Sequence, residues 1–288
     1  MPSPAYHAPD TVKEATDLLA ANKGAKPLAG GTDLIVQMQS GRMAPAAIVD
    51  LKRIAGLKEI REEADHFAIG AAVPCTSLKN NAALVAEWPG VVEAANLIGS
   101  VQVRNRATMA GNLCNASPAA DSVPALVAAG ASVVVAGPSG EREVPVEQIP
   151  TGPGKTSLGD GEFVSEIRIP RKAKGGSDAY LRSIPRTEMD IAVVGAGAQV
   201  VLDESGTCTA ARIAIGAAAP TVLLVEDAGK ALVGSKLDDA AIAKMMEAVS
   251  AACNPIDDKR GTVAYRKATA GVLAKRVVEI ARQRAGGN

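Results

Sequence analysis

Aromatic residues are scarce: one Trp, three Tyr and two Phe (Trp88, Tyr6, Tyr180, Tyr265, Phe67, Phe163) in 288 residues. Single-stranded nucleic acid is bound by stacking bases on aromatic faces, and so few rings argue against such a platform. An excess of one charge is also lacking. Lys plus Arg and Asp plus Glu number 31 each, which removes the electrostatic reason to expect nucleic acid or an anionic membrane as partner. Histidine occurs only at His7 and His66, without a partnering pattern, so neither a Ser/His/Asp triad nor a histidine-based metal site is expected. The four cysteines (Cys75, Cys114, Cys208, Cys253) are nowhere closer than 39 residues. No Cys-x-x-Cys pair exists to ligate zinc or an iron–sulfur cluster, and the thiols read as buried small hydrophobes. No apolar run is long enough to span a bilayer, and the start Met-Pro-Ser-Pro-Ala-Tyr lacks the basic and apolar regions of a signal peptide. The expectation is a soluble cytoplasmic protein with reduced thiols.

What the chain does have is length for two domains, a 47% hydrophobic content and 28 glycines. The most informative stretch is Thr108-Met109-Ala110-Gly111-Asn112-Leu113-Cys114-Asn115-Ala116-Ser117-Pro118-Ala119-Ala120-Asp121. Small residues let a backbone approach a ligand closely, and successive N–H groups in such a turn can point at a phosphate oxygen. Asp121 then has two readings: an acceptor for sugar or polyol hydroxyls, or the cap of a turn. A second loop, Leu28-Ala29-Gly30-Gly31-Thr32-Asp33, leads into a predicted short helix through Gln39 with Thr32 or Asp33 as its cap. Alone, the Gly-Gly pair is also an ordinary turn. Two such loops about 80 residues apart suit the two phosphates of a dinucleotide.

Sharper motifs fail. Gly152-Pro153-Gly154-Lys155-Thr156 ends like a P-loop, but the required first glycine is Ile149. Gly195-Ala196-Gly197 follows a strand-like run, but the third glycine of a nicotinamide fingerprint would be Val200, so this reads as a strand of small residues. Any redox or group-transfer chemistry must come from a bound cofactor.

Patterning predicts an α+β chain. Thr11-x-x-Glu14 is a capping box for a helix, Ile48–Leu51 a short strand, and 57–62 with 66–71 a hairpin. Helices are expected over 77–86, 91–98 and 119–129, the last closed by Gly130, and strands over 132–136 and 163–169. Arg171 to Ser177 reads as a linker. Beyond it come a hairpin of 191–202 with 208–215 and helices at 240–251 and 264–281. The basic residues of the last helix (Arg266, Lys267, Lys275, Arg276, Arg282, Arg284) read as a solvated face. The expected boundary lies at 175/176, with the first part subdivided near residue 55.

Three segments in order carry a resemblance: Ala29-Gly30-Gly31-Thr32-Asp33-Leu34, Gln102-Val103-Arg104-Asn105-Arg106-Ala107-Thr108-Met109-Ala110-Gly111-Asn112-Leu113, and Thr151 to Thr156. With the ending Ala264-Tyr265-Arg266-Lys267, they make the chain resemble the FAD-binding medium subunits of molybdenum hydroxylases, the group of carbon monoxide dehydrogenase and bacterial xanthine dehydrogenase. The resemblance implies a two-part FAD-binding domain of the PCMH type over 1–175. A smaller antiparallel-sheet-plus-helices domain, like the flavoprotein C-terminal domain of carbon monoxide dehydrogenase, would cover 176–288. It also implies roles by position. Ala29, Gly30, Gly31, Thr32 and Asp33, with Thr108, Met109, Ala110, Gly111 and Asn112, would wrap the FAD pyrophosphate. Asp121 would meet a ribityl or ribose hydroxyl, Ile98 would pack against the cofactor, and Val164 would pass its strand backbone close by. Arg182 stands where relatives often carry Lys, and its planar fork differs from an ammonium. Ala110 replaces a more usual glycine, which requires a negative φ there.

The mechanism so implied is an electron relay with no catalytic side chain in this chain. A molybdopterin large subunit would oxidise the substrate, an iron–sulfur small subunit with [2Fe-2S] clusters would carry electrons, and FAD here would pass them to an external acceptor. The family assembly is a dimer of heterotrimers. Two other readings are a free-standing FAD-dependent oxidase or reductase, for which no proton-donor cluster is found, and an assembly subunit that has lost FAD.

Overall fold

The computed structural model describes residues 3–286. The chain opens on a small parallel sheet of Ala5–His7 (β1), Lys26–Leu28 (β2) and Ala47–Asp50 (β3), in the spatial order β1-β3-β2. Strands running the same way need crossovers, here Val12–Ala21 (α1) and Leu34–Gln39 (α2). Thr11 Oγ1 accepts from the Glu14 N–H at 3.1 Å, while Glu14 Oε2 accepts from the Asp10 N–H at 3.0 Å. The capping box therefore forms, its return bond reaching one residue further back than the usual pattern. Ala15 and Leu19 of α1 pack on Val49, Leu51 and Phe163.

A five-stranded antiparallel sheet comes next. Its strands are Ile60–Glu62 (β4), His66–Gly70 (β5), Ser132–Gly137 (β6), Gly140–Pro145 (β7) and, after the hairpin Pro150–Gly152 (β8) with Lys155–Thr156 (β9), Phe163–Pro170 (β10). Their order is β4-β5-β10-β6-β7. Between β5 and β6 run Cys75–Leu78 (α3), Ala82–Glu87 (α4), Pro89–Asn96 (α5), Val101–Arg104 (α6), Met109–Cys114 (α7) and Ser122–Ala128 (α8). The single helix expected over 77–86 is two, because Asn81 Oδ1 accepts from the Leu84 N–H at 2.8 Å and starts α4 afresh. Strand β7 lies at the sheet edge, exposed except at Val144. It therefore carries no apolar alternation by which to find it.

Residues beyond 175 form an antiparallel sheet in sequence order: Gly176–Ser183 (β11), Val194–Leu202 (β12), Cys208–Gly216 (β13) and Leu223–Leu224 (β14). Helices Glu226–Leu232 (α9), Asp239–Ala252 (α10) and Val263–Arg284 (α11) join it around a core that includes Val194, Ile213, Met245 and Val277. Helix α8 also touches this sheet, and a Cβ at Gly197 would sit 2.6 Å from the Pro124 carbonyl oxygen. The small-residue strand is thus what lets α8 approach so closely.

Two sequence readings need correction. The segment 171–177 is not a solvated linker at its start. Arg171 lies 4.1 Å over the Phe67 ring and donates to the Glu63 carbonyl at 2.8 and 3.0 Å. Lys172 sits over Trp88 with its Nζ 3.6 Å from Asp178. The last helix is not basic on a single wet face either. Arg266 is 3% exposed, donating to the carbonyls of Val193 (2.6 Å) and Ala217 (3.2 Å) and to Asp258 (2.7 Å). Arg284 pairs with Glu93 and donates to the Asp178 carbonyl at 2.9 Å. Asp178 Oδ2 accepts from the Val91 N–H at 3.0 Å, so it caps α5 from β11. Burial lifts this carboxyl to about 6.

Candidate functional site

Strand β2 ends beside Asp50, and the chain then turns through Gly30 and Gly31, the latter at φ 78°, into α2. Lys52 Nζ holds the turn by donating to the Ala29 carbonyl at 3.1 Å and is itself paired with Asp50 at 2.7 Å. Asp33 occupies the cap position of α2, but its side chain makes no cap bond. The surrounding protein instead raises its carboxyl pKa by desolvation.

The second loop is a helix start rather than an open turn. Thr108 Oγ1 accepts from the Gly111 N–H at 2.9 Å, so the hydroxyl oxygen caps α7 while its O–H stays available as a donor. Ala110 lies inside that helix and is not among the residues with positive φ, which meets the condition its substitution for glycine imposes. Asn112 Oδ1 accepts from both the N–H (3.1 Å) and the hydroxyl (2.8 Å) of Ser122, tying α7 to α8. Among the described residues, no protein acceptor meets the N–H groups of Gly30, Gly31, Thr32 and Asp33, or those of Met109 and Ala110. These are the donors that a helix start and a tight turn leave free.

The two loops touch. A Cβ at Gly30 would lie 1.9 Å from the Arg106 carbonyl oxygen and 3.0 Å from the Ala107 Cα. Gln37 Nε2 of α2 donates to Asn115 Oδ1 at the end of α7, at 2.9 Å. Between the loops opens a cleft of about 610 Å³, within the range of small-molecule and cofactor sites. Ala29, Gly30, Gly31, Thr32, Asp33, Ile98, Thr108, Ala110, Gly111, Asn112 and Val164 line it.

Met109, Asp121 and Arg182 stand outside the lining. Met109 is 2% exposed and packs into the core. Asp121 and Arg182 are brought together with each other. Arg182 Nη1 donates to Asp121 Oδ2 at 2.6 Å, and the Tyr180 hydroxyl donates to Oδ1 at 3.2 Å. The aspartate therefore joins the start of α8 to β11 of the second domain. Sequence reasoning missed several lining residues, including Gln37, Cys114 and the stretch 158–162. The Gly159-Asp160-Gly161 turn was the one available signal. Burial pushes the Cys114 thiol up to about 12, which keeps it protonated. No helix of the described residues is long and apolar enough to cross a membrane, and no cluster of His, Cys, Asp and Glu among them could hold a metal ion.

Residues 2–172 match the family described as FAD binding domain in molybdopterin dehydrogenase, and residues 179–281 the CO dehydrogenase flavoprotein C-terminal domain. The chain is 37% identical to the carbon monoxide dehydrogenase medium chain of Hydrogenophaga pseudoflava, covering 96% of each. It is 32% identical to the xanthine dehydrogenase FAD-binding subunit of Escherichia coli O157:H7, covering 98% of this chain and 97% of the other. Among solved structures, it superposes on carbon monoxide dehydrogenase from Oligotropha carboxidovorans with a TM-score of 0.94 at 35% identity, over 98% of this chain and 99% of that one. Quinoline 2-oxidoreductase from Pseudomonas putida 86 gives 0.90 at 29%, over 99% and 98%. With both domains matched end to end, the chain belongs to the FAD-binding medium subunits of the molybdenum hydroxylases, a family of oxidoreductases.

Proposed function

We propose that the 610 Å³ cleft is the FAD site and that the chain relays electrons inside a heteromeric complex. The observation that supports this most directly is the convergence of two runs of unpaired backbone N–H, at 30–33 and 109–110, on one cleft. Backbone donors at a turn and a helix start suit a pyrophosphate, which needs several hydrogen bonds and partial positive charge. Gly30 keeps the first run close to the second, Gly31 takes the positive φ that the turn needs, and Gln37 with Asn115 fixes their separation. Ile98 and Val164 would supply apolar surface for the cofactor, and Asn112, which also lines the cleft, would offer it a polar side chain. Asp121 and Arg182 act on the cofactor by holding α8, and through Ser122 the Asn112 side chain, in place. Bound FAD would supply the redox chemistry, and the residues lining the cleft would hold it and shield it from water.

The partners in this reading are an iron–sulfur small subunit with [2Fe-2S] clusters and a molybdopterin large subunit, assembled as a dimer of heterotrimers in the cytoplasm. In the same reading the domain boundary would lie at 175/176, with a subdivision near residue 55. The test is to express the chain with its neighbouring genes, purify through a tag on this subunit, and assay FAD, iron and molybdenum together. All three, with two co-purifying chains, support the relay. FAD without partners favours a free-standing flavoenzyme, and folded protein without flavin overturns the site.

A further inference from the structure

The register of the small parallel sheet brings three side chains to the back of the first loop. Asp50, the last residue of β3, pairs with Leu28, the last of β2, and Tyr6 of β1 pairs with Ile48. Past β3 the chain makes a single tight turn, Leu51–Arg53, begun by Asp50 Oδ1 accepting from the Lys52 N–H at 3.0 Å. That turn returns Lys52 to Ala29, the first residue after β2. Lys52 Nζ lies 2.7 Å from Asp50 Oδ1 and donates to the Ala29 carbonyl at 3.1 Å. The Tyr6 hydroxyl donates to Asp50 Oδ2 at 2.6 Å. Asp50 is only 7% exposed, so it is a fixed post on which the ammonium rests.

The carbonyl that Lys52 holds and the Gly30 N–H belong to one peptide unit. None of the described peptide bonds is cis, and in a planar trans unit the N–H points the opposite way from the carbonyl. Fixing the one therefore aims the other. Gly30 cannot aim it alone, because a residue without Cβ turns about φ with little steric restraint. Ala29 and Gly30 line the 610 Å³ cleft and Lys52 does not. A cation on the carbonyl also polarises the peptide and strengthens its N–H as a donor.

We propose that Lys52 is a positioning residue for the cofactor: from behind the loop it holds the Ala29–Gly30 peptide with its unpaired N–H turned to the cleft, ready to donate to a phosphate oxygen. Asp50 and, through it, Tyr6 keep the ammonium in place. The role toward the cofactor rests on the assignment of FAD to this cleft, whereas the anchoring of the peptide does not.

The test pairs FAD titration by fluorescence with amide NMR of the purified chain. Isotope labelling of alanine carbonyls and glycine nitrogens confines the spectrum to glycines that follow alanine, Gly30 among them, with Gly197 of β12 as internal control. Lys52→Met keeps the stem and removes the donor. The FAD dissociation constant is expected to rise about tenfold, the scale of one hydrogen bond to a charged group. In the apo variant the Gly30 amide shifts or broadens while Gly197 stays. Lys52→Arg, which restores a donor, returns the constant to within about threefold of the parent. Parental affinity in folded Lys52→Met, or lost affinity with an unchanged Gly30 amide, overturns the role. Tyr6→Phe, at a position 61% exposed, gives a reading that does not depend on Lys52→Met folding. Both signals should move the same way by a smaller amount, and if neither moves the chain from Tyr6 to the loop is refuted. FAD that binds the parent without moving the Gly30 amide refutes the cleft assignment instead, and a Gly30 amide disturbed in apo Lys52→Met would then still show the peptide to be anchored.

Discussion

Replacing Gly30 with alanine separates two reasons for a glycine in a cofactor loop. The added Cβ would lie 1.9 Å from the Arg106 carbonyl oxygen and 2.6 Å from its carbon, both backbone atoms that cannot rotate away. That is roughly 1.5 Å short of ordinary contact, so the two loops must part. Overpacking of this kind costs about 1–3 kcal/mol, occasionally more. Because the strain falls on the spacing of the two N–H runs, the same change is expected to raise the FAD dissociation constant about tenfold or more, one decade being about 1.4 kcal/mol. Gly111→Ala is the control. Its nearest neighbour is Thr108 Oγ1 at 3.0 Å, and exchanging glycine for alanine within α7 gains about 0.5–1 kcal/mol of helix propensity, which offsets the mild crowding. The assay is urea unfolding of both apo variants followed by fluorescence titration with FAD. Gly30→Ala should lose stability and affinity together. Gly111→Ala should keep its stability, and lose affinity only if the cofactor backbone rests on that face of the helix. A folded Gly30→Ala protein with parental stability and parental FAD affinity refutes the account of the loops.

Asp121→Ala strands Arg182, whose side chain is 4% exposed, and should destabilise the apo protein by roughly 3–5 kcal/mol in urea; a loss confined to FAD binding would show that the aspartate serves the cofactor alone. Gln37→Ala removes the bridge to Asn115 and should lower apo stability by about 1 kcal/mol while weakening FAD binding as the loop spacing relaxes; unchanged FAD affinity would make the bridge incidental to the cofactor. Burial raises Asp178 to about 6, above the ordinary aspartate value, so it binds its proton more tightly folded than unfolded. Its favourable share is full below about pH 4 and is lost as the pH climbs through 6. The stability of the parent relative to Asp178→Asn should therefore fall between pH 4 and 7, and a difference that rises instead would contradict the burial argument. With its thiol pushed up to about 12, Cys114 should resist iodoacetamide at pH 7.5 in the folded apo protein, far more than an ordinary thiol near 8.5; labelling at the rate of the unfolded chain would refute that environment.

Features set by neighbouring residues were legible in the sequence. The Thr11 cap, the turn after Leu202, where Asp203 accepts from the Ser205 and Thr207 N–H groups, and the Gly130 stop at φ 70° each depend on a few adjacent side chains or one backbone angle. So do the Gly-Gly turn and the small-residue helix start, each taken by itself. Local chemistry of this kind is written in local order. The tertiary structure decided what depends on distant partners. Thr108 turned out to cap its own helix, and Gly30 to be small for the sake of Arg106. Asp121 turned to Arg182 and Tyr180 across the domain junction, 61 and 59 residues away. Arg266, one more cation in a basic helix by sequence, became a buried donor to two carbonyls and Asp258. A side chain's type fixes which bonds it can make, but only packing fixes which partner arrives and whether water is left to compete.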